Sequence, residues 1–384
     1  MTGYWDWVRF PDEEYAARLA RLQAALVREE LDAVVLSDDR LTWYLTGFGD
    51  LGPTGSAARP RVLAVPRAGE PAFFVHRSTE LCVREMSAVA DVRTYRPLGR
   101  APVEDVVVFL RGRDCSRVGV ELGGQLRLGL PAGDLGGFHA AGFDLADASR
   151  AVWAVRMVKS KAEIVRVREA CAMTDRAYAA ALPRLRAGMT EREAAALLKR
   201  ALADEGADSS WAWVVSGRGQ YDRIDGIVRD RAIEPGDLVF VDMGACVGGY
   251  WADFSRSAVI GRAAAGQIRM QELVAEATRI GTEALAPGRT TADVARLVDE
   301  AMDERSLVFT SRAERYGHGL GMAVTERPDV WPTDETPIVP GMVLTMEPGM
   351  WTDEGMFHCE QNVAVTEDGN ELLSLSPLEL VETG

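Results

Sequence analysis

Several things are missing from this chain, and each absence removes a class of protein. No run of about 18 apolar residues occurs, so no transmembrane helix is expected. The five cysteines, Cys82, Cys115, Cys171, Cys246 and Cys359, are widely spaced and form no C-x-x-C pair. They read as reduced thiols rather than a disulfide framework or a zinc ribbon. Positive charge is in deficit: 43 Lys and Arg stand against 58 Asp and Glu, for a formal net charge of −15. That balance argues against nucleic acid and anionic membranes as partners. The stretch MTGYWDWVRFPDEEY has no basic region followed by an apolar core, so no signal peptide is expected and a cytoplasmic location is. Histidine is scarce, with four in all. His76 ends a strand-like run and His139 sits in a Gly-rich stretch. Both read as surface or packing residues.

What is present begins with size. A chain of 384 residues, 47% of them hydrophobic, is long enough for two cored domains. Residues 11–30 carry apolar positions at helical spacing. Residues 31–36 read as a short buried strand, 61–66 and 70–75 as a strand pair, and 91–95 and 117–121 as further strands. A helix is expected over 102–111. Strands alternating with helices give an α/β domain over residues 1–155. From 156 to 384 the pattern changes. A long helix over 161–185 is followed by a helix over 191–204, with Thr190 as N-cap and Glu193 three residues on. Helices over 262–286 and 291–304 repeat the pair, and each pair precedes an acidic hairpin.

The first hairpin, LVFVDMGACVGGYWADFSR (238–256), carries Asp242 and Asp253. Gly248 and Gly249 supply its turn. A two-residue turn at Val247-Gly248 would set the two Asp directly opposite each other, where like charges are unfavourable unless something positive sits between them. The second, MVLTMEPGMWTDEGMFHCEQNVAV (342–365), carries Glu347 and Glu360. A turn at Asp353-Glu354 would set these two opposite. Between the hairpins lies Tyr316-Gly317-His318-Gly319-Leu320-Gly321, a glycine-framed histidine. Four carboxylates and one imidazole are mostly hard oxygen donors, suited to two divalent cations such as Mn, Fe, Co or Zn. Two ordinary hairpins with acidic solvent faces are the plainer reading of either one alone. Cys246 and Cys359 alternate with the carboxylates and read as packing residues.

In order and spacing, Asp242, Asp253, His318, Glu347 and Glu360 resemble the five metal ligands of the pita-bread metalloenzymes. That family holds methionine aminopeptidases, Xaa-Pro aminopeptidases, prolidases and creatinase. The matching stretches are DMGACVGGYWADFSR, GHGLGM, TMEPGMW and the E-x-N-x-x-V-T-E-D-G run from Glu360 to Gly369. Lys159-Ser160-Lys161-Ala162-Glu163 resembles the start of the catalytic domain, and Tyr44-Leu45-Thr46-Gly47 a segment of the N-domain. The resemblance implies a creatinase/prolidase-like α/β N-terminal domain, an α+β pita-bread catalytic domain and a homodimer. It also implies metal roles: Asp242 on one ion, His318 on the other, Asp253 and Glu360 bridging, and Glu347 ligating and shuttling a proton.

Departures from the family pattern bear on the substrate. Peptidases of this kind carry two accessory histidines, and here those positions are Asp225 and Thr325. Neither can replace an imidazole as a proton carrier in the same way. Relatives carry Arg two residues before the last ligand, and here it is His358. Asp225 is a candidate base or partner for a cationic substrate. His358 is a candidate partner of a ligand carboxylate. Trp211-Ala212-Trp213-Val214-Val215-Ser216-Gly217 resembles a stretch of creatinase and ectoine hydrolases. Trp211 and Trp213, with Tyr221, Tyr316 and Trp351, are candidate pocket walls. The expected function is hydrolysis of a C–N bond in a small amide, amidine or dipeptide-like compound. A conventional Xaa-Pro peptidase, a metal-dependent lyase of the dimethylsulfoniopropionate-lyase type and a non-catalytic binding protein are the rivals.

Overall fold

Short β-branched and aromatic runs between 33 and 147 become the six strands of one mixed sheet. The computed structural model describes residues 9–49, 58–307 and 314–383. The chain divides into two units between Arg156 and Met157. In the first, the strands lie in the order Asp91–Tyr95, Ala72–His76, Val62–Pro66, Ala33–Leu36, Arg117–Val120, Asp144–Asp147. Val62–Pro66 is antiparallel to both neighbours and the other pairs are parallel. Val35, Ala64, Phe74 and Val118 pack with Val106, Phe109 and Leu110 of helix Val103–Arg111 and with Phe138. Helix Asp12–Arg28 buries Tyr15, Leu22 and Leu26 together with Arg18. The buried guanidinium is tolerated because Glu14 accepts from it at 3.0 Å and the Tyr44 carbonyl at 2.9 Å.

The expected elements of this unit are present, with ends shifted by at most two residues. Helix Glu80–Met86, strand Asp144–Asp147 and helix Ser149–Arg156 were not anticipated; each is eight residues or shorter and has too few turns for a clear period. Leu41 to Thr46 lies in a helix, Asp39–Thr46, stopped by Gly47 at φ 80°. His76 closes its strand, with Ser78 at 2.8 Å from Nδ1 and the Arg96 carbonyl at 2.9 Å from Nε2, so its ring is spent on local structure.

The second unit is the duplicated pattern. Helices Lys161–Ala181 and Glu191–Asp204 precede one acidic hairpin, and helices Ala265–Ala284 and Thr291–Glu304 precede the other. The second helix of each pair starts in a capping box, Thr190 with Glu193 and Thr290 with Asp293, as the spacing required at Thr190. One sheet runs Val381–Thr383, Phe254–Ile260, Leu238–Val247, Ser209–Ser216, with Tyr250–Trp251 continuing the hairpin. The other runs Glu326–Asp329, His318–Gly319, Val343–Met346, Gln361–Val365, Asn370–Leu372, and Gly349–Thr352 pairs with Gly355–His358 as a separate ribbon. Val274, Ala277, Val294 and Val298 of the second helix pair join Leu344, Met346, Phe357 and Val363 in one core. Among the described residues, no helix is long and apolar enough to cross a membrane.

The first hairpin turns one residue later than counted. Gly248 and Gly249 are both left-handed, at φ 53° and 83°, and Val247 pairs with Tyr250. Asp242 therefore pairs with Ser255 and not with Asp253. The same register sets Asp253 across from Gly244, so the two Asp are diagonal neighbours on one face instead of directly opposite. Trp213 pairs with Asp242 from the other side and Trp211 with Gly244, which brings both indoles to that face. The second hairpin turns where expected, with Thr352 paired to Gly355 and Gly349 to His358. Beyond the gap, Met346 pairs with Gln361 in the same register, so Glu347 and Glu360 face each other across the break between ribbon and sheet.

Candidate metal centre

His318 is held by the two glycines around it. A Cβ at Gly317 would collide with the Thr345 carbonyl, and one at Gly319 with the Arg327 carbonyl. Only a chain without those side chains fits between its two neighbouring strands. His318 Nδ1 lies 2.9 Å from the Gly319 carbonyl, which fixes Nδ1 as the protonated nitrogen and leaves Nε2 with its lone pair. Burial holds the ring below its ordinary pKa.

Nε2 points into the carboxylates. It lies 3.3 Å from Glu347 Oε1 and 3.4 Å from Asp253 Oδ2. Donor atoms of Asp253, His318 and Glu360 all fall within 4.8 Å of one another. Asp242, Asp253, His318 and Glu347 line one cavity of about 390 Å³, and Glu360 is sealed behind them. Burial, then mutual repulsion, pushes Asp242, Asp253 and Glu360 well above the ordinary carboxylate range. Burial works the same way on Glu347, but His318, then His358 and Arg315, oppose it and hold the carboxyl down at about 2. Arg315, with Nε at 3.6 Å, is the permanently cationic member of that set.

These acids fit a pair of divalent cations. Asp242 Oδ1, Glu347 Oε1 and both oxygens of Glu360 are buried without a hydrogen-bond partner. Unpaired buried carboxylate oxygens are costly. The donor set, four carboxylates and one neutral imidazole nitrogen, suits Mn, Fe, Co or Zn, and two divalent ions balance four carboxylates.

Neighbouring groups hold the donors in place. His358 Nε2 lies 3.5 Å from Glu347 Oε2, and its Nδ1 lies 2.7 Å from Ser255 Oγ. Trp211, Trp213, Trp351, Thr325 and His358 all line the cavity, as the sequence suggested. Three other candidates do not join them. Tyr221 is buried with its hydroxyl donating to the Leu238 carbonyl at 2.8 Å. Tyr316 is buried and donates to Asp299. Aromatic residues with a polar tip are absorbed into a core wherever the tip finds a partner. Asp225 is exposed, paired to Arg229 at 2.5 Å and accepting from the Ile227 amide at 2.9 Å. Ile224 and Gly226 line the cavity on either side of it, but its carboxylate does not. Among the charged lining residues, the sequence did not flag Arg315 and Lys199. A lone arginine three residues before the glycine-framed histidine carries no motif, and position alone was the available signal.

The profile of metallopeptidase family M24 matches residues 165–367, and that of the creatinase/prolidase N-terminal domain matches residues 18–158. The chain is 31% identical to a probable dipeptidase PepE of Mycobacterium bovis, over 97% of this chain and 98% of that one. It is 32% identical to an Xaa-Pro dipeptidase of Pyrococcus furiosus over 59% of this chain and 66% of that enzyme's length. The structure of dipeptidase PepE from Mycobacterium ulcerans superposes with a TM-score of 0.85 at 28% identity, covering 98% of this chain and all of that one.

Proposed function

Given that the chain belongs to metallopeptidase family M24, whose pita-bread hydrolases use two divalent metal ions such as Mn, Co, Zn or Fe, we propose that this hydrolase cleaves the C–N bond of a small dipeptide or dipeptide-like amide. The observation that carries the reading is the convergence of five donors with unpaired buried oxygens in one cavity of about 390 Å³. That volume admits a compact substrate.

Asp242, Asp253, His318, Glu347 and Glu360 would hold the two ions, with Asp253 and Glu360 shared between them. Bound there, the ions supply Lewis-acid polarisation of the substrate oxygen and acidify water. The chain's own residues do the rest. Glu347 carries the proton from water to the leaving nitrogen, and His358, anchored by Ser255, fixes its carboxylate. Trp211, Trp213 and Trp351 exclude bulk water from the reacting bond. The products are a carboxylic acid and an amine.

A second reading, hydrolysis of a small non-peptide amide or amidine, is favoured by one observation. Thr325 lines the cavity where peptidases of the family carry histidine, and Asp225 stands outside it, ion-paired, at the other histidine position. The test is a turnover panel of Xaa-Pro dipeptides, other dipeptides, creatine and ectoine with Mn or Fe added, in ¹⁸O-labelled water. Hydrolysis places one solvent oxygen on the carbon of the broken C–N bond, in the acid from a dipeptide, in urea from creatine and in the amide carbonyl from ectoine. Products that include an alkene-containing acid without solvent oxygen would replace the hydrolase reading with elimination. No turnover of any dipeptide alongside turnover of creatine or ectoine would favour the second reading.

A further inference from the structure

The cavity has two ends. Trp213 pairs with Asp242 and Trp211 with Gly244, so both indoles stand at the Asp242 end. Glu347, with His358 beside it, marks the other. Edge-to-face rings join the two, Trp213 on Phe240 at 5.5 Å and Phe240 on His358 at 5.5 Å. With the leaving nitrogen at Glu347, the acyl half of a bound amide extends toward Asp242 and the two indoles.

That end offers donors and lacks a free acid. Trp213 lines the cavity at 8% exposure, and its Nε1 is buried without a hydrogen-bond partner. Trp211 Nε1 is buried and unpartnered too. A Cβ on Gly244 would come within 2.9 Å of it, which places this N–H over the hairpin face that carries Asp242 and Asp253. An indole N–H donates and cannot accept, and a buried donor left unpaired is costly. Among the described residues, the acids lining the cavity are Asp242, Asp253 and Glu347, all committed to the ions. Asp225 is spent on Arg229 outside it. The exposed Lys199 also lines the cavity, from helix Glu191–Asp204, which packs on the strand of the two tryptophans. A free α-ammonium here would meet two N–H donors and a lysine. A neutral oxygen acceptor satisfies the wall.

We infer that the acyl half of the substrate is neutral and carries an oxygen acceptor in place of a free α-ammonium, with Trp213 and Trp211 as specificity-determining residues. The substrate class is then a 2-hydroxyacyl, 2-oxoacyl or N-acylaminoacyl amide, and dipeptides with a free amino group are disfavoured. Lys199 adds long-range repulsion of an ammonium. This inference deepens the proposed function and rests on it for which half of the substrate faces which end.

The test uses four compounds that differ only beside the acyl carbonyl. Alanylproline carries an ammonium there, lactoylproline a hydroxyl, pyruvoylproline a keto oxygen and propionylproline no polar atom. Full-length Mn-loaded protein is mixed with each; stopped-flow tryptophan fluorescence reads binding ahead of turnover, and chromatography reads products. Wild type is expected to bind the lactoyl and pyruvoyl compounds about 10- to 100-fold more tightly than alanylproline, with propionylproline between, the span of two neutral hydrogen bonds. Trp213→Phe and Trp211→Phe keep a ring and remove the N–H. Each is expected to cut the preference for pyruvoyl over propionyl about 3- to 10-fold. Lys199→Met is expected to narrow the discrimination against alanylproline at low salt and not at high salt. Thermal midpoints check folding, and Trp211→Phe with the exposed Lys199→Met carries the test if Trp213→Phe does not fold. Alanylproline binding as tightly as the oxygen-bearing compounds would overturn the inference, as would an unchanged oxygen preference in both tryptophan variants. Weaker Mn binding in Trp213→Phe with the preference intact would assign the indole to Asp242 and overturn it too. Turnover led by alanylproline, without oxygen preference, would sink the donor wall and leave the hydrolase. Oxygen preference lost in the tryptophan variants, with no turnover of any compound, would sink the hydrolase and leave the donor wall.

Discussion

Asn362 holds both main-chain polar groups of Asp253. Its Oδ1 accepts from the Asp253 amide at 3.0 Å, and its Nδ2 donates to the Asp253 carbonyl. The side-chain amide thus stands in for a neighbouring strand and ties one acidic hairpin to the other, two residues beyond Glu360. Asn362→Ala leaves two buried groups unpaired, at a cost on the order of 2–4 kcal/mol. Because Asp253 loses its anchor, Mn affinity is expected to fall about 10- to 100-fold. Chelator competition measures this, and unchanged affinity would show that Asp253 positions itself.

Lys159 and Glu326 form an ion pair at 3.2 Å with side chains 2% and 1% exposed. Glu326 also accepts from the Ala323 amide at 3.1 Å, so the pair braces the turn that carries Thr325. Lys159→Met strands a buried carboxylate and should cost about 3–5 kcal/mol. Adding Glu326→Leu should recover much of that loss. The denaturation midpoint of the second unit reads both, and additive losses would contradict the pairing.

Glu121 gives the first unit a pH dependence. Burial pushes its carboxyl up to about 7 despite bonds from the Ser37 hydroxyl and the Ser37 and Asp38 amides. The folded state therefore binds this proton more tightly than the unfolded chain, whose carboxyl titrates near 4.5. The stabilisation is complete below about pH 4.5 and is lost as pH rises through about 7, by on the order of 3 kcal/mol. The unfolding transition of the first unit, followed in Mn-loaded wild type, should move progressively lower over that window. Glu121→Gln should flatten this slope, and an unchanged slope would assign it elsewhere.

His358→Ala removes the imidazole that braces Glu347. Turnover is expected to fall about 10- to 100-fold, mainly in kcat, because the proton carrier loses its orientation. Ser255→Ala, which only loosens the far side of the ring, should fall less. A loss confined to KM would place His358 on the substrate instead.

The second hairpin was legible in the sequence to the residue, because Thr352-Asp353-Glu354-Gly355 allows one turn and the register follows from it. The first was legible only to its face. Two adjacent glycines left two turn positions open, and the choice of Gly248-Gly249 moved Asp253 from opposite Asp242 to opposite Gly244. The glycines flanking His318 were visible, but their reason is the carbonyls of Thr345 and Arg327, which arrive from distant strands. The pocket walls divided by partner. Trp211 and Trp213 alternate on a strand beside Asp242 and reach the cavity, whereas Tyr221 and Tyr316 have hydroxyls that find Leu238 and Asp299 and stay in the core. Asp225 was read by position along the chain, and Arg229, four residues on, captures it. Arg315 depends on three-dimensional neighbours, and no spacing rule would have singled it out.

The metal content of the purified chain after Mn reconstitution and desalting, measured beside Asp253→Ala, tests the two-ion centre most directly. The expected ratio is about two ions per wild-type chain and about one or fewer in the variant, since Asp253 is proposed to serve both ions. Fewer than about one ion per wild-type chain, or the same ratio in Asp253→Ala, would contradict a two-ion centre built on these five residues.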